Sequence, residues 1–175
     1  MSDSVTLLDR IAAAEDAFSY ADGQPTFEPE VNSGPDASDG EVTIQKACRL
    51  LSVAEIIDEY GAYYGAILEH SFIVIEHTLQ GYLLAMSGIE ASELRNHDSS
   101  YELAKGRVPL GDDTIDSLKT LYDARRTEHY YGTMVTTAEQ ATAMRAVANA
   151  VHEHIVAFDP RPRTVLSLLG LRIVR

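Results

Sequence analysis

The chain has 175 residues, 45% of them hydrophobic, a formal net charge of −13 and a single cysteine. That length suits one domain with extensions and can bury a core without covalent staples. Lone Cys48 excludes an intramolecular disulfide, and the acidic balance excludes broad DNA binding, which needs clustered Lys and Arg.

The cations are mostly arginine, with lysine only at Lys46, Lys105 and Lys119. This composition predicts a protein of a high-salt cytoplasm, where screening removes self-repulsion and carboxylates hold water. The start "MSDSVTLLDR" lacks the basic and apolar stretches of a signal peptide. The most apolar run, "SFIVIEHTLQGYLLAM", is broken by Glu76, His77 and Gln80 and reads as a core helix. The expectation is a cytoplasmic protein with no membrane segment.

In chain order, Val5, Leu7, Leu8, Ile11, Ala12, Ala14 and Phe18 have helical spacing, which predicts an N-terminal helix over 1–20. Residues 21–41 are rich in Gly, Pro and acids and read as a flexible acidic linker. A helical bundle is expected over 42–158. Its first helix carries Val42, Ile44, Ala47, Cys48, Leu51, Ala54, Ile57 and Tyr60 at three- and four-residue steps and ends at Gly61. Cys48 in that stripe reads as a buried, inert thiol.

The next helix is apolar on most of its circumference, which predicts a central position or one shared with a dimer interface. Gly88 marks its end. A connector with one short helix around Tyr101–Lys105 follows. Asp112 or Asp113 is the expected cap of the next helix, with Ile115, Leu118, Leu121 and Tyr122 as its stripe. Gly132 stops or bends it. The last helix opens on a capping box, Thr136 with Glu139 or Thr137 with Gln140. Its stripe is Ala141, Met144, Ala148, Val151 and Ile155, and Ala146, Ala148 and Ala150 would permit a close neighbour. Pro160 and Pro162 end it. Residues 159–175 form an apolar tail. The fold expected is all-α, a bundle of four or five helices.

This order of features resembles the HEPN superfamily over residues 42–158. The features are the opening helix "QKACRLLSVAEIIDEYGAYYGAI", a Glu in an apolar central helix, a connector with His97, an arginine-led motif "ARRTEHYYGT" and the closing helix "TAEQATAMRAVANAVHEHI". The resemblance implies a homodimer. It also implies a role with RNA or nucleotides in toxin–antitoxin or defence systems, in which a nucleotidyltransferase or an antitoxin is a partner. Catalytic members carry Arg, four to six residues, then His, and need no metal.

This chain departs from that pattern. Three residues separate Arg125 from His129, and two separate Arg126 from it. Aligning Arg126 with the family arginine puts Tyr131 where the histidine belongs. A phenol with a pKa near 10 is a poor base at neutral pH. A one-residue irregularity in the helix would be needed to bring His129 into the site. Arg126, Tyr130 and Tyr131 are therefore the expected nucleotide- or RNA-binding residues, the arginine clamping phosphate and the tyrosines stacking a base. Arg125, Arg126 and His129 are the catalytic set if the chain is a ribonuclease. The bland alternative is a dimer interface of packed Arg, Glu and Tyr. In a nucleotidyltransferase pair, Tyr130 or Tyr131 would be a modification site.

Glu69–His70 and Glu76–His77 repeat seven residues apart, about 10 Å along a helix, too far for one metal. Glu76 is expected to be hydrogen-bonded internally, and His152 and His154 to be solvated. No metal or cofactor is expected. The reading is an interaction module without catalysis. The alternatives are a metal-independent ribonuclease toxin and a structural adaptor that docks through its tail.

Overall fold

The computed structural model describes the backbone of residues 2–21, 37–131 and 135–158, and the side chains of 7–17, 37–125 and 135–158. Most of the linker, the tail, Gly132, Pro160 and Pro162 lie outside the described residues. The chain divides into two units, Met1–Asp36 and Ala37–Arg175. In the first, α1 spans Ser2–Ala21, with Leu7, Leu8 and Ile11 exposed.

The second unit is all-α, as its periodicity predicts: α2 Asp39–Tyr60, α3 Tyr64–Met86, a 3₁₀ turn Ala91–Glu93, α4 His97–Ala104, α5 Asp112–Tyr131 and α6 Ala138–Ala157. No helix among the described residues is long and apolar enough to cross a membrane.

The starts are set by local chemistry. Ser38 and Glu41 form a capping box, so α2 begins three residues before Val42. Gly61, at φ 71°, closes it. Asn96 accepts from the Ser99 N–H at 2.8 Å, which starts α4 upstream of the expected Tyr101. At α5 the Gly111 carbonyl accepts from Thr114 and Ile115. Asp112 is already helical, and its carboxylate receives the Gly106 N–H at 2.9 Å. For α6, Thr137 and Gln140 make the capping box.

The central helix is α3, which packs on α2, α4 and α6. Its Leu68, Phe72, Val74, Ile75, Leu79 and Leu83 are core residues. Each such side chain, fully buried, is worth roughly 1.5–3 kcal/mol. The α6 stripe is buried at all five expected positions. Ala146 and Ala150 are exposed, so of the three alanines only Ala148 meets the core. A close approach lies elsewhere, where Gly40 of α2 and Gly81 of α3 face each other's helices. A Cβ on Gly81 would stand 2.9 Å from the Ile44 backbone nitrogen. Glycine is required there because backbone meets backbone.

Candidate functional site

Helix α5 runs unbroken through the arginine-led motif to Tyr131. Arg125 is half-buried. Of the other expected site residues, Arg126, His129, Tyr130 and Tyr131 have side chains outside the described residues. Their backbone lies on the last turns of α5, so Arg125 and His129 are one turn apart, as are Arg126 and Tyr130.

One turn before Arg125 is Tyr122, buried in the core. Three rings gather around it. Phe72 meets it edge-on at 5.5 Å, Tyr101 lies at 5.6 Å and His97 at 5.8 Å between centroids. His97 is the first residue of α4. Its Nδ1 donates to Glu76 Oε2 of α3 at 2.6 Å, the length of a strong charge-assisted bond. The Glu76 side chain is 4% exposed and that of His97 is 51% exposed. A carboxylate buried in an apolar helix is thus joined through one imidazole to the surface. The expected internal hydrogen bond of Glu76 is present.

The second Glu76 oxygen, Oε1, and the Tyr101 hydroxyl are both buried without a hydrogen-bond partner. Burial, and next the Glu76 charge, push the Tyr101 phenol above its ordinary range, so it is a neutral hydroxyl. A polar ladder continues along α3: Gln80 donates to Ser100 Oγ at 2.8 Å, and His77 Nδ1 lies 3.2 Å from Gln80 Oε1. At the rim, Lys119 of α5 bridges Asp123 at 3.0 Å and Asp98 at 3.3 Å. Its ammonium is held above its ordinary range, first by hydrogen bonding to Asp123. This arrangement can hold an imidazole in one orientation, with its Nδ1 on the carboxylate.

His97 entered the sequence reading only as a feature of the connector. The signal that could have promoted it is Glu76 itself, since a carboxylate in an apolar helix requires a polar partner.

The other histidines are placed differently. His70 Nδ1 meets the Ala66 carbonyl at 2.8 Å. His154 is exposed, with Nε2 at 2.6 Å from the Pro109 carbonyl. His152, expected to be solvated, is buried instead. Its Nδ1 shares a 3.0 Å hydrogen bond with the Thr78 hydroxyl, because the stripe that buries Val151 and Ile155 carries His152 inward. Burial lowers its pKa to about 4. Cys48 is buried and free, and burial pushes its thiol up, as an inert thiol requires. Among the described residues no group of three His, Cys, Asp or Glu could hold a metal.

No curated protein and no solved structure matches the chain. The family described as Domain of unknown function (DUF8154) matches residues 2–165. The chain therefore belongs to this family.

Proposed function

We propose that the chain is a HEPN-like homodimeric interaction module that holds a nucleotide or the end of an RNA without cutting it. Its contacts are Arg126 and Tyr131, with Tyr130 beside them. The observation that supports this most is the continuity of α5 through Tyr131. Without a break in the helix, the spacing from Arg126 keeps Tyr131, not His129, at the position a HEPN histidine would take. On that helix Arg126 is one turn from Tyr130, a spacing that suits a phosphate and a base. Such a module would work beside a nucleotidyltransferase or an antitoxin in a defence-type system.

Calorimetry with nucleotides and short RNA, in high salt, tests this. Binding that is lost in Arg126→Ala supports the reading. No binding by the wild type would overturn it and leave a role with protein partners only.

A second reading is a metal-independent ribonuclease using Arg125, Arg126 and His129. It is favoured by the one-turn spacing of Arg125 and His129 on α5. RNA cleavage in the presence of a chelator, abolished in His129→Ala, would establish it. Equal cleavage by that variant would remove His129 from the chemistry.

A further inference from the structure

We propose that His97 is a phosphoryl-accepting residue, with Glu76 as the positioning residue that keeps its Nε2 outward. The acceptor needs a nitrogen lone pair in reach of a donor, and a fixed ring. Both follow from the pair. Nδ1 spends its hydrogen on Glu76 Oε2 at 2.6 Å, so the neutral ring carries its lone pair on Nε2. The buried carboxylate occupies the Nδ1 edge, and half of the side chain remains exposed. Tyr122 packs at 5.8 Å and limits rotation of the ring.

Charged and titratable groups of three helices lie about the ring. From α3 comes Glu76, from α4 Asp98 and Tyr101, and from α5 Tyr122, Asp123 and Lys119. Asp98 and Asp123 are both engaged by the one Lys119 ammonium, which offsets part of their repulsion of a phosphoryl group. Glu76 faces the ring itself, where positive charge appears.

The donor is a small, activated phosphoryl compound, a phosphoramidate or an acyl phosphate. The Nε2 lone pair attacks phosphorus and forms the N–P bond. The donor's P–N or P–O bond breaks, and the leaving group departs with the bonding pair, as ammonia from zwitterionic phosphoramidate or as a carboxylate. The ring retains its Nδ1 hydrogen and becomes a phosphorylated cation, held against the Glu76 carboxylate. Oriented carboxylates behind functional imidazoles fix tautomer and raise basicity in this way.

The other histidines with described side chains are built-in comparators, His77 among them with the Gln80 amide oxygen on its ring. His70 and His154 have backbone carbonyls rather than a carboxylate on the ring, and His152 is buried.

The test incubates the full chain with potassium phosphoramidate at neutral pH. Intact mass, peptide mapping under basic conditions and phosphorus NMR then follow the acid-labile product. The expected result is a first phosphoryl group at His97, on Nε2, and its loss in His97→Gln. In Glu76→Gln the rate at His97 should fall about tenfold, and the product should divide between Nε2 and Nδ1. Circular dichroism of Glu76→Gln under the same conditions establishes that the molecules read are folded. First modification at any histidine other than His97, or an unchanged rate and an all-Nε2 product in Glu76→Gln, would overturn the proposal. Either outcome leaves the nucleotide reading of α5 to its own binding assay.

Discussion

Thr78 of α3 and His152 of α6 share a 3.0 Å hydrogen bond inside the core, between residues 74 positions apart. The other imidazole nitrogen, Nε2, is buried without a partner. This is a neutral histidine by construction, since protonation would place an unpaired charge between two helices.

Acid should therefore unfold the bundle through His152. Its folded pKa of about 4 lies below the ordinary 6.5, so the unfolded chain binds the proton more readily. The contribution of His152 is complete above pH 6.5 and is lost as pH falls towards 4. Integrated over that window it is worth about 3 kcal/mol, a large share of a typical domain's stability. Chemical denaturation from pH 7.5 to 4 measures it. His152→Gln, which cannot titrate, should flatten the profile; an unchanged slope would assign the acid sensitivity to other groups.

Gly81→Ala should destabilise the second unit by about 1–3 kcal/mol. The new Cβ would meet Ile44 Cγ1 at 2.5 Å and Ile44 N at 2.9 Å. The side chain can rotate away, but the backbone nitrogen moves only if α2 moves. Alanine gains up to about 1 kcal/mol of helix propensity over glycine, which the overpacking outweighs. A thermal melt at or above that of the wild type would show that α2 and α3 separate easily.

Tyr101→Phe should be neutral or stabilising, by up to about 1 kcal/mol. The ring is fully buried and its hydroxyl has no partner, so phenylalanine keeps the packing and removes an unsatisfied polar atom. The check is the midpoint of urea unfolding. A loss above 1 kcal/mol would mean that the hydroxyl is bonded in solution, through Glu76 or water.

Salt should raise the melting temperature well beyond physiological concentration. Fourteen cationic side chains face twenty-seven acidic ones, and screening weakens that self-repulsion. Scanning calorimetry in increasing potassium chloride reads this directly. A maximum at or below physiological salt would contradict the high-salt origin inferred from composition.

The sequence by itself determined that the second unit is helical and where most of its apolar stripes lie. The α6 stripe, a capping box at one of two adjacent threonines, the stop at Gly61 and the buried thiol of Cys48 were all legible. They depend on contacts within one turn, where spacing and side-chain chemistry suffice. It also put α3 at the centre of the bundle or at a shared dimer interface, and gave Glu76 an internal hydrogen bond. The tertiary structure alone decided who that partner is. His97 lies 21 residues away on another helix, and no local pattern ties it to Glu76. His152 was misplaced for the same reason. Two histidines two residues apart face different ways, and the rotation of α6 against α3 selects which one is buried. The Gly40–Gly81 contact likewise exists only once two helix backbones cross. Periodicity fixes which face of a helix is apolar; the crossing of helices fixes which polar groups on their margins meet.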